Sequence, residues 1–175
     1  TFNPANYTIS YVNGSLGVTP AALGIAANAA VKGYDGLAWS GGNGVTYTGL
    51  RGTDTAASLS GTLTYGGTSQ GAINAGNYSL RPSGLSSPNY TITYVNGSLG
   101  ITPATLGIAA NSSSKTYGTA LLFNGTEFSS TGLQNAETIG SVNLTSLGAG
   151  STATVEDSPY AIVASGATGG SFNPA

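Results

Sequence analysis

Residues 6–28 read NYTISYVNGSLGVTPAALGIAAN, and residues 89–111 read NYTITYVNGSLGITPATLGIAAN, 83 positions later, with only Ser10, Val18 and Ala22 exchanged, for Thr93, Ile101 and Thr105. A long internal repeat constrains a fold more than any local motif, because both copies have to build the same kind of unit. Fainter matches at the same spacing extend it: Lys32-Gly33-Tyr34 with Lys115-Thr116-Tyr117, Thr48-Gly49-Leu50 with Thr131-Gly132-Leu133, and Asp54-Thr55 with Glu137-Thr138. The chain therefore reads as two divergent copies. The opening Phe2-Asn3-Pro4-Ala5 also returns as Phe172-Asn173-Pro174-Ala175, 170 positions on. That return predicts a window, slightly longer than one two-domain unit, cut from a longer tandem array.

Within the repeat, Tyr7-Thr8-Ile9-Ser10-Tyr11 alternates, Asn13-Gly14 is a strong two-residue turn signal, and Leu16-Gly17-Val18 alternates again. A type I′ hairpin with this turn puts Tyr7, Ile9, Tyr11, Leu16 and Val18 on one inward face, and Thr8, Ser10, Gly17 and Thr19 on the other. The second copy predicts the same through Tyr90, Ile92, Tyr94, Leu99 and Ile101. Pro20 and Pro103 end the hairpins, since proline has no N–H for a ladder. Strands are expected at Leu23-Gly24-Ile25 and Leu106-Gly107-Ile108, and over 59–65, 76–80, 140–144, 153–155 and 160–164, with one helical turn at 134–138. The fold class is mainly β: tandem small domains, each an Ig-like sandwich or a β-grasp-like curled sheet. The boundaries expected are 1–19 for the closing hairpin of a preceding domain, 20–103 for the first domain, and 104–175 for a second domain completed by strands of the next unit.

Composition supports folding but removes most chemistry. Only 4 Lys+Arg and 6 Asp+Glu stand among 175 residues, with 28 Gly, yet 39% of the chain is apolar and patterned. There is no His, Cys or Met, so no Ser-His-Asp triad, cysteine nucleophile or imidazole metal site can be built. A cysteine-free framework suits an extracellular bacterial setting. A net charge of −2 leaves no basic stripe for nucleic acid. No apolar run approaches the ~18 residues of a membrane span, and TFNPANY lacks the regions of a signal peptide. The chain is expected to be internal to its protein, without membrane insertion.

Few side chains remain as site candidates. Asp54 and Glu137 occupy equivalent repeat positions, one per copy, which suits a structural acid in a turn better than a catalytic pair. Glu156-Asp157 reads as a solvated turn rather than a calcium site. Ser40-Gly41-Gly42-Asn43-Gly44 lacks the Lys and helix of a phosphate loop. Trp39, in a Gly/Ser loop of the first copy alone, is the best platform for a sugar. Asn-x-Ser/Thr occurs at Asn6, Asn13, Asn77, Asn89, Asn96, Asn111, Asn124 and Asn143. Gly17, Gly24, Gly100 and Gly107 sit inside strands, where glycine often marks the close approach of another backbone. Together with edges free of Lys and Pro gatekeepers, they point to assembly.

The run NYT-I-YVNGSL-V/I-TPA, followed by Leu-x-Ile and then Lys115-Thr116-Tyr117-Gly118, resembles the MBG repeat domains of large bacterial surface and secreted adhesins. The first copy, with Lys32-Gly33-Tyr34-Asp35-Gly36 and Asn74-Ala75-Gly76-Asn77-Tyr78, is similar to the related YDG type. The resemblance implies stalk-forming arrays of filamentous-haemagglutinin-like proteins, outside the cell, without catalysis or cofactor. The expected function is a structural repeat of an extracellular fibre or giant adhesin, its partners being copies of itself or adjacent repeats. The alternative is a carbohydrate-binding module that meets surface glycans through Trp39 and exposed tyrosines.

Overall fold

The computed structural model describes residues 1–172; Asn173, Pro174 and Ala175, which restart the opening tetrapeptide, lie outside the described residues. The segment expected as the first domain contains β1 (Ala21–Ala27), β2 (Ala30–Gly33), β3 (Val45–Thr48), β4 (Ser60–Gly66), β5 (Gly76–Ser86), β6 (Tyr90–Val95) and β7 (Gly97–Thr102). The second contains β8 (Gly107–Ala110), β9 (Phe128–Thr131), β10 (Ile139–Thr145) and β11 (Val163–Gly170). Single 3-10 turns at Pro4–Asn6, Ala56–Ser58 and Leu147–Ala149 complete the described elements. The fold is mainly β, as the alternation predicts.

The first domain holds two sheets, ordered β3-β1-β6 and β2-β7-β5-β4. Two long segments run through both. Residues 21–33 pair in parallel with residues 90–102, with Ala21 beside Tyr90, Ala26 beside Val95, Ala30 beside Leu99 and Gly33 beside Thr102, a constant offset of 69 across both sheets. The inward positions change parity along each segment. Leu23 and Ile25 face one core cluster with Tyr90, and Ala30 faces another with Leu99 and Ile101. The switch falls at Asn28 on one strand and Gly97 on the other, the same point of the ladder, so both strands jog together from one sheet to the next.

This corrects the hairpin expectation. β6 and β7 lie in different sheets, and neither Asn96 nor Gly97 has the positive φ that a type I′ turn requires. Gly97 serves a different purpose: a Cβ there would stand 2.5 Å from the carbonyl oxygen of Ala27, so only glycine lets the two jogged backbones pass. The other copy of the motif is corrected too. Residues 7–19 form no strand, and Tyr7, Ile9, Tyr11, Leu16 and Val18 are exposed rather than inward, Tyr11 to 89%, Leu16 to 92% and Val18 to 89%.

Other expectations divide. Strands stand near 23–25, 59–65, 76–80 and 140–144; residues 153–155 are instead irregular, the last strand starts at Val163, and 134–138 makes a turn without helix. β2, β3 and β9 are short, and no period of their own announces them. In the second domain β8 pairs with β9, Gly107 beside Thr131, as β1 pairs with β3, Gly24 beside Thr48. β10 pairs with β11. No described strand of the second domain takes the place that β6 and β7 hold in the first.

Candidate functional site

Tyr90 shows what the repeated motif does when it is in place. Its ring is buried with Leu23 and Ile25, flanked by Ala21 and Leu50, because alternation along β6 turns it inward. Its phenol donates to Asp54 Oδ2 at 2.6 Å and accepts from the backbone N–H of Arg51 at 2.9 Å. The carboxylate partner, with burial adding to it, raises the phenol above the ordinary tyrosine value. Gly49 closes the back of this socket with φ of +108°, where a Cβ would stand 2.5 Å from the Ala22 carbonyl. Further along, the Tyr94 phenol clasps Leu85, accepting from its N–H at 2.7 Å and donating to its carbonyl at 2.8 Å.

The second domain contains the same socket, built from repeat-equivalent residues. An open cavity of about 250 Å³, which Tyr34, Asn74, Ala75 and Phe172 also line, is bordered by Ala104, Leu106, Leu133, Gln134 and Glu137. They stand 83 positions after Ala21, Leu23, Leu50, Arg51 and Asp54. Gly132 repeats the strained closure of Gly49, with φ of +97° and a notional Cβ 2.2 Å from the Thr105 carbonyl. No inward tyrosine of the second domain fills this cavity. Glu137 instead accepts a short hydrogen bond through Oε1 from Tyr34 of the first domain, and Asn135 Nδ2 donates to the Gly36 carbonyl at 3.0 Å. Hydrogen bonding to Glu137, followed by burial, raises the Tyr34 phenol as well.

Edge strands tell the same story. β9 holds one edge of β8, and the opposite edge, which β6 holds on β1, has no partner among the described residues. β2 pairs with β7 alone, and its repeat equivalent, residues 113–116, forms no strand. A four-residue strand with no neighbour has no ladder to hold it, so its loss follows from the missing partner.

The remaining candidates are placed as follows. Gly24 and Gly100 have ordinary contacts, Gly17 has none within 4 Å, and Gly107 is crowded by the Thr131 hydroxyl at 2.8 Å with the Thr131 carbonyl at an ordinary 3.8 Å, so among the described residues no backbone crowds these four. Backbone crowds other glycines instead, among them Gly49, Gly97 and Gly132, and no strand pattern marks these three out in advance. Trp39 is half-buried against the cluster of Ala30, Ala72, Leu99 and Ile101, with its indole N–H donating to Gly41 at 3.2 Å. Asp54 and Glu137 receive phenols rather than turn N–H groups, whereas Glu127 is the turn acid, accepting from Asn124, Gly125 and Thr126 at 3.0–3.1 Å. Among the described residues no three of His, Cys, Asp or Glu stand together for a metal, and no helix is long and apolar enough to cross a membrane.

In this geometry residues 90–102 close the sheets of the first copy, and the second copy repeats part of that arrangement without a closing strand among the described residues. Residues 23–100 match the family model of the MBG domain (YGX type), so that stretch is similar to an MBG-type repeat domain. The matched description is the YGX type rather than the YDG type expected of this copy. No curated protein and no solved structure matches the chain.

Proposed function

We propose that the chain is a non-catalytic structural unit of an extracellular bacterial fibre or giant adhesin stalk, with units joined end to end by shared strands. One observation carries this reading: residues 90–102 complete the first domain, while among the described residues the second has the matching socket and a free edge, and the matching segment 7–19 lies exposed and unpaired. Each unit thus offers at one end what it needs at the other, which is the head-to-tail condition for an open linear array. A surface of hydroxyls and amides, with no thiol or imidazole, fits a passive element outside the cell. Trp39 covers the core of the first domain, so nothing in its placement favours a sugar site over packing.

Electron microscopy of the native material tests the reading. A filament with an axial repeat holding two domains is the expected image. Isolated, monodisperse particles at all concentrations would overturn it.

A further inference from the structure

We infer that residues 7–19 of a second copy of this unit lie parallel to residues 104–116, in one register, with Tyr7 beside Ala104 and its ring in the cavity above Leu106. The inference rests on the shared-strand reading and adds to it the partner, the register and the residues that recognise it.

The register follows from the first domain. There Ala21 pairs with Tyr90, Ile25 with Tyr94, Ala30 with Leu99 and Gly33 with Thr102. Residues 104–116 repeat 21–33 and residues 7–19 repeat 90–102. The same pairing therefore sets Thr8 beside Thr105, Tyr11 beside Ile108 and Leu16 beside Ser113. β9 already holds the opposite edge of β8 at the register of β3 on β1. The remaining edge is the one that takes a strand in the first domain.

Side chains fit the same alignment. One wall of the cavity of about 250 Å³ is built at the repeat equivalents of the residues around Tyr90, with Tyr34 and Phe172 also lining it, and that wall is the one an inward tyrosine meets at this place in the ladder. Glu137 uses Oε1 for Tyr34, leaving Oε2 for the Tyr7 phenol, and a carboxylate accepts several such bonds. Gly14 falls where Gly97 stands, over the carbonyl of Ala110 as Gly97 lies over that of Ala27. Residues 113–116 then gain the neighbour that β2 has in β7. On the donor side, Tyr11, Leu16 and Val18 project into solvent until a partner covers them.

The chain has no cysteine, so introduced thiols have only each other to meet. Adjacent parallel strands lie within disulfide reach. Thr8→Cys/Thr105→Cys, both at exposed positions, is oxidised with glutathione disulfide, and the products are sized on non-reducing gels. The Ala22→Cys/Thr91→Cys pair, at the equivalent place inside the first domain, calibrates the geometry by closing within one chain. The expected result is a ladder of covalent oligomers, and a dimer when the two single variants are mixed. Off-register Thr8→Cys/Ala109→Cys should give at least tenfold less. On the in-register background, Tyr7→Ala and Gly14→Ala should cut the ladder at least tenfold; both positions are exposed or uncrowded in the single chain, so folding is retained.

A ladder equal in the off-register pair, closure within one chain, or indifference to Tyr7→Ala and Gly14→Ala would each overturn the inference. Filaments that form without in-register cross-linking would overturn the register and leave the array standing. Absence of filaments and ladder together would overturn both.

Discussion

The phenol of Tyr90 donates to Asp54 at 2.6 Å while accepting from the Arg51 N–H, tying the last segment of the first domain to the loop that precedes β4. Tyr90→Phe keeps the ring and removes both bonds, leaving the carboxylate and the N–H without the partner they have now. We expect a lower thermal midpoint with an unchanged fold. Differential scanning calorimetry with far-UV circular dichroism reads both; an unaltered midpoint would show that water replaces the phenol without loss.

The same pair makes an alkaline prediction. A phenol held above its ordinary value in the folded state stabilises the fold fully below the unfolded tyrosine pKa, and that contribution disappears as pH rises through the folded value. Tyr90 and Tyr34 are both raised by carboxylate hydrogen bonds first and burial second. The midpoint should therefore decline from about pH 10 upward, more steeply in the parent than in Tyr90→Phe. Parallel lines for the two proteins would remove Tyr90 as the cause.

Acid acts through other groups. Glu127 is held below the usual carboxylate range by the backbone N–H of Asn124 first, with help from its own N–H and those of Thr126 and Gly125. A depressed carboxyl stabilises above its unfolded pKa and loses that contribution as pH falls through the folded value. Glu127→Gln should lower the midpoint at pH 7 and leave the two proteins alike near pH 2. A difference that persists at pH 2 would point to packing instead of charge.

Two leucines in the same motif should behave oppositely. Leu99 is fully buried, so Leu99→Ala should cost about 2–5 kcal/mol. Its repeat equivalent Leu16 is 92% exposed, and Leu16→Ala in the single unit should stay within about 0.5 kcal/mol. Urea unfolding at a concentration where the unit is monomeric measures both. A large cost at Leu16 would place residues 7–19 against the fold already in the monomer.

The glycines of the paired motif form a second contrast. At Gly97 an added methyl meets the Ala27 carbonyl at 2.5 Å, and Gly97→Ala should cost about 1–3 kcal/mol. At Gly14 nothing lies within 4 Å, so Gly14→Ala should leave monomer stability unchanged in the same urea experiment.

Much of this architecture is legible in the residues. Alternation in 90–102 identifies Tyr90, Ile92, Tyr94, Leu99 and Ile101 as inward, and all five are buried or half-buried, with Gly97 and Gly100 half-buried as well. The parity switch at Asn96-Gly97 is legible as well, but it has two physical causes that a linear pattern does not separate. A two-residue turn shifts parity, and so does a shared jog between sheets. Period-2 patterning reports which side a residue faces, not which strand lies beside it. For the same reason Asp54 and Glu137 are recognisable as equivalent acids, while their phenol partners are not, since Tyr90 and Tyr34 reach them from 36 and 103 positions away.

By itself, the sequence determined that the chain holds two copies of one β unit, that the repeated motif alternates inward and outward, and that imidazole and thiol chemistry are absent. These are properties of order and composition along one chain. Only the tertiary structure decided that the motif is a long parallel strand instead of a hairpin, that its first copy lies unpaired, and that a socket for it stands at the other end. Pairing depends on which backbones meet across long sequence separations, and the nearly identical residues at 7–19 and 90–102 take different states because, among the described residues, only one of them has a neighbour.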